Sequence, residues 1–533
     1  MVDPMLQRVF QRLQASLFGG ALIVSSSWVL TKFLGLLKQR LIYTTFGPAG
    51  ADSIIAAFAI PDLIYGTLIL GSLLTAFMPV FMSTWQKNKD EAWQLSRSIL
   101  YVLTLIFFAF GLLLLFGASP IVKLLVGRHF DPTAQHTTVF LLRLMSMNML
   151  LFSLSNVFAG VLQAFKHFLA VALAPMFYNL SIIAGVWFLA PRYGAAGVAY
   201  GAVLGAALTL LVQGVAAWRQ GWRPGPALSW RHPDVREVGR LLLPRTIGQS
   251  VTQIDQFVNV PIATRLGSGE LAMFRMANDI QDAPVSIIGL SMATVAFPVF
   301  VELLSQSKKQ EFVEHFSKIV RQILFIMIPL TVVIVQLRAQ IVRLFFGAPT
   351  VTWPVTIITA QTLGFFALSF FAQSLVPVLA RSFYAMKDTK TPVRITMAAV
   401  VIDIIGSFVL GHYMGVQGLA LSYTISNILN ASMLMVILHR RLGSLDEPRI
   451  VQSTMRIIGI TLLMALVVQL AKVVTVSLGF TLTRAYGVLA QTFFASIMAV
   501  LSYSIFSVMF RIEEASLLQR ALNKLGLKRN GTS

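Results

Sequence analysis

Fourteen stretches of this chain are apolar for long enough to cross a lipid bilayer, and that repetition constrains the fold more than any single motif. Each crossing needs about 20 residues of helix. The runs lie at roughly 20–44, 53–83, 97–118, 137–164, 168–190, 195–217, 241–264, 271–303, 318–337, 354–380, 393–412, 416–438, 455–477 and 485–510. Hydrophobic residues make up 56% of the chain and charged ones 12%, a charge share far below that of soluble domains. The expected fold is therefore all-α: a polytopic membrane protein with about 14 transmembrane helices.

An even number of spans puts both ends on one side, and the loops then sort by charge. The N-terminus, the connections near 84–97, 166, 218–240, 304–321, 381–394 and 439–456, and the tail hold 28 of the 42 Lys and Arg. About eight lie in the opposite loops and about six within spans. Basic loops stay in the cytoplasm, so both termini are expected there. The same asymmetry accounts for the formal charge of +21 as contact with anionic lipid, and nucleic-acid binding is not indicated. With no cysteine in the chain, disulfides, thiolate catalysis and Cys-built zinc sites are excluded. Leu6, Val9, Phe10, Leu13 and Leu17, with Arg8 and Arg12 among them, follow helical spacing. They read as a retained interfacial helix leading into the first span rather than a cleaved signal.

The chain also repeats itself. Thr75–Phe81, TAFMPVF, returns 219 residues later as TVAFPVF from Thr294. Phe46-Gly47 returns as Leu266-Gly267 after 220, AFKHF around Lys166 as AMKDT around Lys387 after 221, and Gly194 with Gly197 as Gly415 with Gly418 after 221. Because six helices intervene, the copies insert with the same orientation. This predicts two parallel six-helix lobes, 1–225 (with the N-terminal interfacial helix) and 226–445, then helices 13 and 14 (446–510) and a basic cytoplasmic tail (511–533).

Charges inside spans are costly unless they meet water or a partner. Span 7 carries Arg245, Gln249, Thr252, Gln256 and Asn259, and span 8 carries Arg275, Asn278, Asp279, Asp282 and Ser286, each set on one helical face. Such stripes line a wet cavity. Span 1 adds Lys32, Lys38, Gln39 and Arg40. The plainer readings are an i,i+4 ion pair for Arg275 with Asp279, an N-cap opening helix 2 for Asp52, and snorkelling to the outer interface for Lys38 and Arg40. No metal site and no catalytic group is indicated.

The segment Arg381–Ile395, RSFYAMKDTKTPVRI, is a polar turn between two apolar runs, with Thr389 or Thr391 as a plausible N-cap and Pro392 in the first turn. Its string of Lys387, Asp388, Thr389, Lys390, Thr391 and Pro392 closely resembles the loop between helices 10 and 11 of the lipid II flippase family (MurJ/MviN). TKFLGLLKQRLIYTTFG, ADSIIAAFAIPDLI and GSLLTAFMPVF resemble the same family's first two helices, and LLPRTIG around Arg245 its seventh. In that resemblance Lys32 and Lys38 stand where the family usually has cavity arginines, and Asp52 where it has a functionally important aspartate. The chain departs at Tyr65, Leu70 and Asp279, which occupy positions of an arginine, a glutamate and an arginine; Arg275 lies one turn from the last.

The resemblance implies the fold of the multidrug, oligosaccharidyl-lipid and polysaccharide exporter superfamily. It also implies a flippase that carries lipid II, a polyprenyl-pyrophosphate lipid, from the inner to the outer leaflet of the bacterial cytoplasmic membrane by alternating access. No cofactor is implied; the energy source is a coupling ion or the membrane potential, and partners include the cell-wall synthesis machinery. Lys32, Arg245 and Arg275 are the candidates to meet the pyrophosphate. Rival readings are a flippase for another polyprenyl-linked oligosaccharide, a cation or drug antiporter of the same superfamily built on Asp255, Asp279 and Asp282, and a transport-dead scaffold. A membrane prenyl or glycosyl transferase would need a DDxxD-like cluster, and the chain has none.

Overall fold

The computed structural model describes residues 17–68, 72–127, 130–482 and 484–515. The expected amphipathic segment at residues 6–16, Leu70 and the tail beyond 515 lie outside them. The described residues form helices and turns with no strand. Two compact units divide the chain, Met1–Ala272 and Met273–Ser533.

In the first unit the helices are α1 (Leu17–Leu68), α2 (Ser72–Lys87), α3 (Lys89–Leu125), α4 (Pro132–Ala164), α5 (Phe168–Ala184), α6 (Ala190–Tyr193), α7 (Ala196–Arg219) and α8 (Pro233–Leu266). In the second they are α9 (Glu270–Val285, whose first turn belongs to the first unit), α10 (Ser291–Ser305), α11 (Lys309–Phe346), α12 (Trp353–Ala367), α13 (Phe370–Ala385), α14 (Lys390–Met414), α15 (Val416–Leu442), α16 (Glu447–Ser477) and α17 (Ala485–Met509). Single π-helical turns join α5 to α6 and α9 to α10.

Eleven of the described helices are long and apolar enough to cross a membrane, or up to twelve if α12 and α13, bent by 43°, form one span. The expected fourteen is compatible with this. Gly47 (φ 66°, ψ 173°) splits α1 into two rods, a backbone conformation that glycine reaches without strain, and Pro48 opens the second rod. Helix α8 has the length of a span, 34 residues, but is too polar to be counted with the apolar ones.

The internal repeat returns as backbone geometry. Lys166 and Lys387 both take the left-handed conformation (φ 60° and 61°). At the first, the N–H groups of Lys166 and His167 donate to Gln163 O and Leu162 O (2.9 and 2.8 Å); at the second, those of Lys387 and Asp388 donate to Tyr384 O and Phe383 O (2.9 and 3.0 Å). Gly194 and Gly415 match in the same way, with φ,ψ of 56°, −137° and 64°, −147°.

Close packing inside each unit rests on small and polar residues, as expected where lipid removes any hydrophobic drive between helices. A Cβ on Gly201 of α7 would lie 2.6 Å from the Ser181 carbonyl of α5, so the two backbones touch there. In the second unit Gln373 of α13 donates to Gln281 Oε1 (3.1 Å) and Ser369 Oγ (2.8 Å), and Gln281 donates to Asn278 Oδ1 (3.0 Å). The buried Arg321 of α11 pairs with Glu513 (3.0 Å) and Glu514, beyond the end of α17.

Candidate functional site

Asp52 sits one turn inside the second rod of α1 and is 1% exposed. Its carboxylate accepts the backbone N–H of Gly269 at 2.6 Å and of Ala272 at 2.7 Å. These are first-turn donors of α9, which begins at Glu270, so Asp52 supplies from another helix what an N-cap side chain supplies from its own. It also places a carboxylate at the positive end of the helix dipole. This corrects the reading of Asp52 as the cap that opens helix 2: the rod starts at Pro48 and needs no cap at 52. Both carboxylate oxygens are thereby engaged by the protein.

The other candidates of the first unit are dispersed. Lys32 and Lys38 are half-buried on the first rod of α1, and Lys38 lines a recess of about 80 Å³ with Gln39 and Asp62. The side chains of Arg245 and Gln249 lie outside the described residues. Gln256 is exposed on α8, whereas Asn259 is buried and its amide donates to the Asp255 carbonyl at 3.0 Å. The polar stripe of span 7 is thus not wet along its whole length. Near its middle, α8 packs on α1, where a Cβ on Gly66 would lie 2.5 Å from the Gln253 amide.

The first unit also contains a cavity of about 480 Å³ enclosed by α1, α2, α4, α5 and α7. Tyr65, Phe152 and Tyr178 form one aromatic wall, with ring centres 4.8 and 5.0 Å apart. Asn156 donates to Tyr65 Oη (3.3 Å) and Ser155 to Gln213 Oε1 (2.6 Å). Sequence reading missed this site. One signal was available: Asp62 is a carboxylate within an apolar run, the very feature that marks an intramembrane site, and it stands at the rim. The amides from α4 and α7 gave none, because Asn and Gln inside a span also serve helix packing.

In the second unit Arg275 and Asp279 are half-buried, one turn apart on α9. The face expected at 275, 278, 279, 282 and 286 divides along its length. Asn278 joins the interior amide network described above, while Asp282 is exposed and accepts the Ser286 hydroxyl at 2.9 Å.

The loop at 387–392 is built around Asp388. Its carboxylate accepts the N–H of Lys390 and of Thr391 (3.0 Å each) and the Thr391 hydroxyl (2.6 Å), and pairs with Arg441 of α15 at 2.6 Å. The Thr391 hydroxyl and N–H, with Arg441 adding to them, hold the Asp388 carboxyl down at about 2. Asp388 therefore caps α14, in place of Thr389 or Thr391. Thr389 is already helical in backbone and makes no side-chain cap bond, while Thr391 serves Asp388 as a donor. Pro392 lies in the first turn as expected. Lys387 closes the preceding helix in the left-handed conformation, and Arg441 also lies over the Phe383 ring, 5.3 Å from its centre.

The arrangement offers bases and amides within spans, an acidic cross-helix cap and a charged turn held by hydrogen bonds and an ion pair. Comparison with known proteins fits that picture. The family model described as lipid II flippase MurJ matches residues 42–488. The lipid II flippase MurJ of Burkholderia cenocepacia is 26% identical over 459 residues, covering 84% of this chain and 89% of its own length. The probable lipid II flippase MurJ of Thermotoga maritima is 27% identical over 403 residues, covering 75% and 80%. Among solved structures, a lipid II flippase MurJ in an inward closed conformation matches with a TM-score of 0.78 at 22% identity, over 92% of this chain and 99% of that one. An inward-facing multidrug resistance MATE family transporter matches at 0.64 and 15%, over 77% and 96%.

Proposed function

The chain belongs to the lipid II flippase MurJ family, and from that premise we infer that it moves lipid II from the inner to the outer leaflet of the bacterial cytoplasmic membrane, by alternating access, for peptidoglycan synthesis. The observation that carries this reading is the reach of the family match. Residues 42–488 take in both units, so the agreement belongs to the whole transporter and not to the Lys387–Pro392 turn alone. The protein is a multi-pass transporter of the inner membrane.

The cargo dictates what the residues must do. Its prenyl chain is as apolar as the bilayer, so only the pyrophosphate, sugars and peptide need a polar route. A pyrophosphate leaving water needs cationic partners that replace its hydration, best supplied by fork-shaped guanidinium groups and point-charge ammoniums. Lys32, Lys38, Arg245 and Arg275 are the proposed partners in the course of transport, with Gln249 and Gln256 as further polar groups. Asp279, one turn from Arg275, competes with the cargo for that guanidinium and so favours release. Asp52 serves the turn at Gly269, and Asp388 the turn between α13 and α14. The reading assigns no chemical step and no cofactor; an ion gradient or the membrane potential drives the cycle. Both termini lie in the cytoplasm, the lobes run over 1–225 and 226–445, and the cytoplasmic loops are available to the cell-wall synthesis machinery.

The test is direct: the purified protein in vesicles carrying fluorescent lipid II should expose the label to a membrane-impermeant quencher, and depletion in its host should cause lipid II to accumulate. Unchanged label exposure relative to empty vesicles would overturn the reading.

A further inference from the structure

We propose that the 480 Å³ cavity of the first unit is the subsite for the N-acetylated disaccharide of the lipid-linked cargo; this rests on the flippase reading above. The volume lies within the range of small-molecule sites, roughly 300–1,000 Å³, and leaves room for two sugar rings.

The chemistry of the wall selects the ligand. Among the described residues that line the cavity there is no Lys, Arg or His, so this lining is not built for the pyrophosphate. Among those residues the one carboxylate, Asp62, is exposed, and the other polar groups are neutral amides and hydroxyls. Permanently charged guests need a compensating charge inside; this interior suits a neutral guest with many hydroxyl and amide groups. Sugars have that character, and they also have apolar ring faces. The rings of Tyr65, Phe152 and Tyr178, inclined to one another by 43° and 69°, give those faces aromatic surface to pack against.

A second observation points to an absent partner. Asn148 of α4 is 3% exposed and lines this cavity, and its Oδ1 has no hydrogen-bond partner among the described residues. A buried acceptor left without a donor is uncommon in folded proteins, and a hydroxyl or N-acetyl N–H of the guest supplies one. Tyr65 Oη accepts from Asn156 (3.3 Å), so its own O–H stays a donor for a sugar oxygen. Acceptor, donor and ring face thus line one chamber.

The experiment uses the full-length protein in detergent and N,N′-diacetylchitobiose as the probe, with saturation-transfer NMR titration. Wild type should bind saturably, and Asn148→Leu and Phe152→Leu should each weaken binding at least tenfold. Farnesyl pyrophosphate binding, measured on the same samples, should stay unchanged and reports that the variants are folded. Equal chitobiose affinity in wild type and both variants overturns the proposal. So does absence of saturable binding by wild type, or stronger chitobiose-competing binding of tetraphenylphosphonium, which would mark a cation site. Lipid II movement by the same preparation is scored separately: if wild type binds chitobiose at this cavity but does not move lipid II, the flippase reading fails and the sugar-binding cavity stands.

Discussion

Replacing Asp52 by alanine tests whether this buried carboxylate, 1% exposed, supports the fold or the cargo. The substitution strips acceptors from two backbone N–H groups, those of Gly269 and Ala272, now bonded at 2.6 and 2.7 Å. Each buried donor left unpaired costs about 1–3 kcal/mol, and the lost charge at the start of α9 adds roughly 0.3–1 kcal/mol. Against this stands the relief of removing a buried carboxylate, which is costly to desolvate, so a net loss of about 2–4 kcal/mol is expected. Asparagine keeps one acceptor oxygen but turns an NH2 group toward the second donor, and should lose about half as much. Hydrogen exchange by mass spectrometry reads the effect locally. Amides of residues 269–272 should exchange on the order of 30-fold faster in Asp52→Ala, since about 2 kcal/mol corresponds to that ratio, and the melting temperature should fall by several degrees. If exchange and melting match wild type while lipid II movement is abolished, the carboxylate acts on the cargo and the capping account is wrong.

Three further outcomes follow from the charge pattern and the ion pairs. With the native chain free of cysteine, Lys387→Cys should resist membrane-impermeant thiol reagents in intact cells while Gly50→Cys reacts; external labelling at 387 would invert the topology. Arg275→Ala should abolish lipid II movement and Asp279→Ala should slow release while tightening cargo binding, whereas equal losses of thermal stability with normal transport per folded molecule would make the pair structural. Asp388, held down at about 2 against an ordinary value of 3.8, stabilises its turn above about pH 4, and that contribution is lost as pH falls through about 2. The stability gap between wild type and Asp388→Asn, followed by acid titration of melting temperature, should therefore be constant from pH 7 to 5 and close below 4; a gap independent of pH down to 2 would show that the charge of Asp388 is not what holds the turn.

What the sequence shows of this molecule, and what it hides, follows from the distance over which each interaction acts. Span boundaries depend on local apolar length, and the cap at α14 depends on residues three apart, Asp388 and Thr391. Even there the expectation named the wrong member of the pair, because Asp, Thr and Ser all cap well and only the backbone of Thr389, already helical, decides between them. The repeat was legible because duplicated turns keep their backbone conformation: Lys166 and Lys387 hold the same left-handed angle 221 residues apart although their neighbours differ. Asp52 is the opposite case. Its partners, Gly269 and Ala272, stand 217 and 220 residues away, so its charge was visible and its role was not. The cavity beside Tyr65 was hidden for the same reason, since its aromatic wall joins α1, α4 and α5 and no window of sequence contains all three. Asp62 alone broke the apolar pattern. Within spans, then, a carboxylate in an apolar run is a better guide to a chamber than a stripe of amides: amides satisfy one another between helices, as Gln373, Gln281 and Asn278 do, whereas a charge in a span is costly away from water or a partner.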